Sequence, residues 1–336
     1  MQKKTVQIGT SSTDYFFAGG FSMLKDLVSP AKTVIITDEN VFANHKRKIE
    51  NWKTIIISAG EENKVQTSVD NVINQLIELG ADRTTTLVGL GGGVITDLTG
   101  YIASIYMRGI SFGFVPTTLL ALVDASIGGK NGIDVGDYKN MIGTIRHPSF
   151  IIHDLQFLNS LPEIEWNNGF AEIIKHACIK DMALFKELES IGVQKYRNKK
   201  TELCSLIQKN VLLKTKVVQR DEREAGDRKL LNFGHTLGHA IENQYGLPHG
   251  QAIAVGMSYA SELSQKLLKF QHATRVTDLL QKYGLPTTME WDKDKVFHVI
   301  KMDKKKQNDS IHFILLEKLG KAVIKEISFD QLYATL

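Results

Sequence analysis

Four sets of residues in this chain have types and spacings suited to chemistry. In the first, Leu87-Val88-Gly89-Leu90-Gly91-Gly92-Gly93-Val94-Ile95-Thr96-Asp97, an apolar run enters a glycine turn and leaves in a helical pattern. Such a turn aims free backbone N–H groups and the positive end of a helix dipole at one spot, which suits a pyrophosphate. It is not the G-x-G-x-x-G fingerprint, so on spacing alone a tight structural turn competes with a dinucleotide site. Asp38, after Val34–Thr37, and Glu61, after Ile55–Ser58, follow strand-like runs that should end on the same sheet edge. Ligands of open α/β sheets sit beyond the carboxyl ends of strands, so both acids can reach ribose hydroxyls. Taken singly, each is equally an ordinary solvated loop acid.

In the second set, Thr117 and Thr118 supply hydroxyls straight after Val115-Pro116, and Gly128-Gly129-Lys130 is a flexible turn carrying a cation suited to phosphate. Between them Asp124 sits in an apolar run with no local partner of opposite charge. A buried acid there must be paired or have a raised pKa, unless it is simply a structural hydrogen-bond acceptor. The third set, Asn232-Phe233-Gly234-His235-Thr236-Leu237-Gly238-His239, puts two histidines on one helical face. His249 follows fourteen residues after His235, and Glu172 lies upstream among apolar neighbours. A catalytic zinc site wants three N/O ligands and an open position. Spacing nominates His235 and His239 as joint ligands with Glu172 or His249 as the third, without choosing, and helix histidines satisfied by backbone or water are the plain alternative. The fourth set, Asp221-Glu222-Arg223-Glu224-Ala225-Gly226-Asp227-Arg228, reads by itself as a solvated helix end. Arg108, Lys130, Lys139, Lys175, Lys214, Arg228 and Lys305 are scattered through these segments. If they converge, they form a pocket for a small acid carrying phosphate, carboxylate or both.

The elements that must position these residues change character along the chain. Val34-Ile35-Ile36, Ile55-Ile56-Ile57, Thr84–Leu90 and Phe112–Val115 read as buried strands. Val69, Val72, Ile73, Leu76 and Ile77 repeat with helical spacing up to Gly80, which sits where a C-cap belongs. A helix from the glycine turn to about Tyr106 continues the alternation, which predicts an α/β domain with a largely parallel sheet. Eleven of the 27 glycines fall between Gly89 and Gly136, where backbone that must approach a ligand closely is the better reading than linker. Past Leu161-Pro162 the pattern is helical: Gly169–Ile179, Ala183–Ile191, Thr201–Arg220, Phe233–Tyr245, Ile253–Leu268 and Thr274–Tyr283, with a late strand at Ile311–Leu316. The expected organisation is therefore a domain over 1–160 and a mainly helical one over 161–336.

With 336 residues there is ample length for two cores, and 43% apolar against 23% charged residues excludes wholesale disorder. A net charge of +4 is too small to argue for nucleic acid. Cys178 and Cys204 are the only cysteines and show no CxxC spacing, so a reducing compartment fits. Met1-Gln2-Lys3-Lys4 begins no signal peptide, and no apolar run approaches the ~20 residues needed to cross a bilayer. A cytoplasmic enzyme without membrane or nucleic-acid partners is the expectation.

Taken in order, these sets resemble the 3-dehydroquinate synthase family. The resemblance rests on Gly91-Gly92-Gly93-Val94-x-x-Asp97, Tyr106-Met107-Arg108-Gly109, Pro116-Thr117-Thr118-Leu119-Leu120-Ala121 and Val123-Asp124-Ala125-Ser126-x-Gly128-Gly129-Lys130. It extends through Lys139-Asn140-Met141-Ile142-Gly143, Ala171-Glu172-Ile173-Ile174-Lys175, Asp221–Arg228 and Leu231–Glu242, and covers about residues 35 to 315. It implies a Rossmann-like NAD-binding α/β domain, a helical domain holding a divalent metal (zinc or cobalt), and a cleft between them. It further implies that 3-deoxy-D-arabino-heptulosonate 7-phosphate is cyclised to 3-dehydroquinate with loss of phosphate, NAD being regenerated in each turnover. The metal ligands it implies are Glu172, His235 and His249, with His239 near the leaving phosphate instead of on the metal. NAD contacts fall to Asp38, Glu61, Lys64, Gly92, Gly93, Val94, Asp97, Thr117, Thr118, Lys130, Lys139, Phe157 and Ser160. Substrate contacts fall to Asp124, Lys130, Asn140, Lys175, Lys214, Glu224, Arg228, Asn232 and Lys304 or Lys305. Arg108 is implied to reach the phosphate of a neighbouring subunit, hence a homodimer.

The chain departs from the family's pattern in places. Gln251 stands where Glu usually follows His249-Gly250, one charge fewer beside a metal ligand. Ser160 replaces the commoner Thr, Ile164 an Arg and Ile145 a Phe. Another sugar phosphate cyclase, such as a 2-deoxy-scyllo-inosose or valiolone-type synthase, would share the NAD and metal apparatus but not the full carboxylate-binding set of Lys214, Arg228, Asn232 and His239. A polyol dehydrogenase would not be expected to carry the Asp124–Lys130 or Asp221–Arg228 blocks. A metabolite-binding protein without activity has only Gln251 in its favour.

Overall fold

The computed structural model describes residues 1–136, 138–303 and 309–336. In chain order its first elements are β1 (Gln2–Ile8), β2 (Ser11–Phe17), α1 (Leu24–Leu27), β3 (Thr33–Asp38), α2 (Glu39–Ile49), β4 (Lys53–Ile57) and α3 (Gln66–Glu78). There follow β5 (Thr86–Gly91), α4 (Gly93–Ile105), β6 (Ser111–Pro116), β7 (Lys130–Val135), β8 (Tyr138–Ile145) and β9 (Phe150–His153). The helices α5 (Glu163–Lys180), α6 (Met182–Ser190), α7 (Val193–Asn198), α8 (Lys200–Arg220), α9 (His235–Tyr245), α10 (His249–Leu268), α11 (Ala273–Lys282) and α12 (Lys293–Asp303) come next. A hairpin of β10 (Ser310–Lys318) and β11 (Lys321–Ser328) and a short α13 (Phe329–Thr335) complete the described chain. No described helix is long and apolar enough to cross a membrane.

Two compact units result, Met1–Glu165 with Lys200–Arg223, and Trp166–Lys199 with Glu224–Leu336. The first is a sheet of order β1-β2-β9-β6-β5-β3-β4, antiparallel only between β1 and β2. Strands buried on both faces need unbroken apolar sequence, and β3, β5 and β6 supply it through Val34–Ile36, Leu87–Leu90 and Phe112–Val115. Ile35, Val88, Leu90, Val115, Ile152, Phe21 and Phe157 meet in one core cluster, each contributing about 1.5–3 kcal/mol by burial. Since β4 lies on one side of β3 and β5 on the other, the winding reverses between β3 and β5. At that point the carboxyl ends of the strands present Asp38 and Gly91, the place where open α/β sheets bind ligands.

The expected range 161–336 for the second unit needs one correction. α8 belongs to the first unit, because its buried face, including Leu206, Ile207, Val211 and Lys214, packs on the turn Ala121–Ala125 and on β1. Amphipathic spacing shows that a helix has a core face, not which core it covers. In the second unit, α5 is buried on every face from Asn168 to Ile179, yet it carries Glu172, Lys175 and His176 at 0%, 2% and 0% exposure. Ionisable groups in the middle of a core helix cost stability unless they are paired, so three of them together mark a candidate site. α10 packs against α9, α11 and β10. The late strand has a partner that sequence pattern did not reveal: β10 pairs antiparallel with β11, Ile311 opposite Ile327.

Candidate active site

The glycine turn of the first unit is built for close approach. A Cβ on Gly91 would stand 2.4 Å from Ile95 Cγ1, and one on Gly92 3.1 Å from Thr118 Cγ2. A side chain at Gly91 would push on the first turn of α4, and one at Gly92 on the loop that carries Thr118. Gly92 caps α4 without any side-chain hydrogen bond, so the leading N–H groups, from Gly93 and Val94, remain for an anion. Thr117 N–H donates to Gly91 O at 2.9 Å and Thr118 Oγ1 accepts from Ala121 N at 3.1 Å, fixing the neighbouring loop. Asp38 caps α2, its Oδ1 accepting from Val41 N at 2.9 Å, and burial pushes its pKa up.

Beside the turn a charged cluster assembles. Lys64, 5% exposed, places Nζ 2.7 Å from Asp97 Oδ2 and 3.6 Å from Glu61 Oε1, and donates to Asn140 Oδ1 at 2.7 Å. Lys139 Nζ lies 4.0 Å from the same Glu61 oxygen. Burial alone would lower the Lys64 pKa; the Asp97 and Glu61 carboxylates outweigh it and raise it. Asn140, assigned to substrate by resemblance, thus sits with residues assigned to NAD. Its positive φ of 53° is held by Asp134, whose Oδ1 accepts from Asn140 N at 2.6 Å.

Asp124 has the partner its surroundings demanded. It lies in a π-helical turn, Ala121–Ala125, and Lys214 of α8 donates to both its carboxylate and its backbone carbonyl at 2.8 Å. Wide turns of this kind recur at functional sites. Lys130 opens β7 and is exposed. Ser160 Oγ is 2.9 Å from His45 Nε2, while Phe157 is turned into the core cluster between Phe21 and His45. Arg108 is exposed on a turn where Met107, Arg108 and Gly109 all have positive φ.

In the second unit Glu172, His235 and His249 offer ligand atoms all within 4.8 Å of one another. His249 Nε2 stands 3.4 Å and His235 Nε2 3.6 Å from Glu172 Oε1. Two ligands ~2.0–2.2 Å from one tetrahedral ion stand roughly 3.3–3.6 Å apart, so the trio has the dimensions of a zinc-type site. Local sequence explains the aim. Gly234 adopts φ +81° before α9, and a Cβ there would lie 2.8 Å from Met257 N, so only glycine lets the helix start at His235 beside α10. Phe233 O, 3.1 Å from His235 Nδ1, takes its proton and leaves Nε2 as the ligating nitrogen. Burial, then the Lys175 ammonium, push the His235 pKa well down, and Lys175 Nζ contacts Glu172 Oε2 directly. Burial also opposes charge on His249, but Glu172 and Glu242 outweigh it and raise its pKa to about 10.

Residues 54–168 match the family model of the 3-dehydroquinate synthase N-terminal region and residues 169–306 that of its C-terminal region. A 3-dehydroquinate synthase of Campylobacter curvus (strain 525.92) is 38% identical over 332 residues, 95% of each chain. The chain belongs to the 3-dehydroquinate synthase family. A second member, the 3-dehydroquinate synthase of Pyrococcus abyssi (strain GE5 / Orsay), is 40% identical over 285 residues, 84% of each chain. Among solved structures, a 2-epi-5-epi-valiolone synthase from Streptomyces hygroscopicus subsp. jinggangensis 5008 with NAD+ and Zn2+ bound gives a TM-score of 0.88 at 25% identity, covering 100% of this chain and 98% of that one. A 2-deoxy-scyllo-inosose synthase complexed with carbaglucose-6-phosphate, NAD+ and Co2+ shares the fold with TM-score 0.86 at 24% identity, covering 99% and 98%.

The remaining residues that resemblance to 3-dehydroquinate synthases singled out take the following places. His239 lies one turn beyond His235, ring centroids 5.1 Å apart, outside the trio that includes Glu172. Asn232 Nδ2 donates to Glu224 Oε1, with Glu224 at φ +61°, and Arg228 is buried at 2% exposure. Lys304 and Lys305 lie outside the described residues. Sequence reasoning missed two groups. Glu242 meets His249 Nδ1 at 3.2 Å, and its signal was its place seven residues after His235 on one helix face. His147, its Nε2 3.0 Å from Glu222 Oε1, carried no signal of its own.

Proposed function

We propose that this chain converts 3-deoxy-D-arabino-heptulosonate 7-phosphate to 3-dehydroquinate with elimination of phosphate, using NAD and one divalent metal ion. The observation that carries the reading is the Glu172–His235–His249 trio, built on a buried carboxylate that also meets Lys175, in a member of this family. Identity of 38% over 95% of a 3-dehydroquinate synthase, against 24–25% for the other two cyclases, supports this reaction over theirs.

When bound, the metal supplies a Lewis acid for vicinal oxygens of the substrate, and NAD a reversible hydride acceptor. Zinc or cobalt suits a donor set of one carboxylate and two imidazoles. The chain's own residues do the rest. Glu172, His235 and His249 hold the ion. The N–H groups of Gly93 and Val94 receive the pyrophosphate, and Asp38 and Glu61 take ribose hydroxyls, Asp38 through the oxygen not used in capping α2. Lys139, Thr117, Thr118, Ser160, Lys64 and Asp97 shape the rest of that site. Lys130, Lys175, Lys214 and Arg228 bind the substrate's carboxylate and phosphate, holding one flexible acid in a reactive pose. Asp124, held by Lys214, together with Glu224 and Asn232, positions its hydroxyls. His239 exchanges a proton with the departing phosphate. Arg108 serves the phosphate of a neighbouring copy, which makes a homodimer the working form. Tyr138, Met141, Ile142 and Ile145, all exposed on the β7–β8 hairpin, favour such association.

The test is phosphate release with catalytic NAD, before and after chelation. Metal-dependent release of one phosphate per 3-dehydroquinate, with no NADH accumulating, is expected. No release from protein with metal and NAD demonstrably bound would move the assignment to another sugar phosphate cyclase.

A further inference from the structure

The two nitrogens of His249 face different carboxylates. Nε2 is 3.4 Å from Glu172 Oε1 and Nδ1 is 3.2 Å from Glu242 Oε2. Glu242 is on α9, only 8% exposed, on the helix face that also carries His235 and His239. The same groups form a second candidate trio, His239, Glu242 and His249, with ligand atoms within 4.8 Å. The two trios compete for one imidazole, because a neutral ring that ligates through one nitrogen carries its proton on the other. An ionised carboxylate can only accept, so its contact with Nδ1 puts the proton there and leaves the Nε2 lone pair for an ion held with Glu172 and His235.

We propose that Glu242 is a positioning residue of the metal centre: it fixes the tautomer and ring orientation of His249 and is not itself a ligand. This rests on the reading above that the Glu172 trio holds a divalent metal. His235 gets the equivalent service from a backbone carbonyl, Phe233 O at 3.1 Å, which no side-chain substitution removes. His249 opens α10 and depends on a side chain instead. With a neutral Gln at position 251, Glu242 is the carboxylate seated on the outer nitrogen of this ligand. Removing such an orienting partner costs about 10–100-fold in metal affinity.

The experiment titrates the full-length, metal-stripped chain with Co2+ against a chromophoric chelator, for the parent, Glu242→Gln, Glu242→Ala and the surface control Glu317→Gln. Circular dichroism melting monitors folding, and the visible cobalt spectrum is read at saturation. We expect one ion per parent chain and an unchanged Glu317→Gln. Glu242→Gln, which keeps an acceptor oxygen and so the tautomer, should bind about tenfold more weakly, and Glu242→Ala more weakly still with an altered cobalt spectrum. If the Ala variant fails to fold, the Gln variant decides alone. Affinities equal to the parent in the folded variants would overturn the proposal. So would two ions per parent chain with one lost in Glu242→Gln, since Glu242 would then be a ligand. A parent that takes up no cobalt would overturn the metal reading and this proposal together.

Discussion

Replacing Lys64 by Met tests the charged cluster beside the glycine turn. The substitution keeps the unbranched apolar stem of the side chain and deletes its cation, leaving Asp97 Oδ2 and Asn140 Oδ1 without the ammonium now 2.7 Å from each. Breaking a buried ion pair from one side costs about 3–5 kcal/mol. Asp97 is 19% and Glu61 44% exposed, so water softens the loss and the lower end, about 3 kcal/mol, applies at pH 8. At pH 5 the stranded Asp97, now free to protonate, recovers part of that cost, so the deficit should shrink as pH falls. Asp97→Asn is milder, because Lys64 keeps Glu61 and Asn140 and the amide oxygen still accepts; about 1–2 kcal/mol is expected. The double variant should therefore cost less than the sum of the single ones, with a coupling of about 2 kcal/mol. In the parent, the raised Lys64 pKa means its contribution is complete below the ordinary lysine range and fades only as pH climbs past it. Urea unfolding at pH 8 and pH 5, with NAD titration of the folded variants, measures all of this. A Lys64→Met deficit under about 0.5 kcal/mol, the range of surface substitutions, or one independent of pH, would refute the reasoning.

His153, 1% exposed and packed against the rings of Tyr15 and Phe17, has its pKa lowered to about 4 by burial. Its folded-state value lies below its unfolded one, so stability falls as pH drops from about 6.5 toward 4; His153→Leu should lose about 2 kcal/mol less than the parent between pH 7 and pH 5 in urea unfolding. Glu172→Gln should abolish metal uptake and turnover together while NAD still binds; full metal content by atomic absorption would break the ligand assignment. Arg228→Ala should raise KM for the acidic substrate at least tenfold with NAD affinity unchanged, and steady-state kinetics indistinguishable from the parent's would remove Arg228 from the pocket.

Local pattern was enough wherever physics is local. Val69, Val72 and Leu76 announced α3, which spans Gln66–Glu78 and is followed by Gly80 at φ +68°, one residue after the C-cap Leu79. The start of α10 at His249, four residues before the apolar repeat begins at Ile253, follows from Pro248, which sets the chain's entry into the helix. Pairings across long sequence separations could not be read in the same way. Nothing around Asp124 indicates Lys214, ninety residues later. The β1–β2 and β7–β8 hairpins are too polar or too glycine-rich to show alternation. The candidate metal ligands were nominated together by type, yet spacing put His239 beside His235 as a joint ligand and left Glu172 and His249 as alternatives for the third place. What brings His249 and Glu172 into one trio is the 3.4 Å between Nε2 and Oε1, and that is a tertiary fact.

Because α8 returns to the first unit, the chain passes between units after residues 165, 199 and 223, and neither unit is one continuous stretch. During synthesis at ~5–20 residues per second, the sheet through β9 has emerged well before the cation that Asp124 needs. Lys214 leaves the ribosome only after α5, α6 and α7, so the carboxylate in the π turn waits for part of the other unit to be made. A nascent chain halted anywhere between β9 and α8 therefore holds an apolar sheet whose neighbouring Asp124 has not yet met Lys214. It is during this interval that a holding chaperone has most to cover, and a gene cut at residue 165 would yield a first fragment without α8 and a second that carries this helix without the unit it packs on.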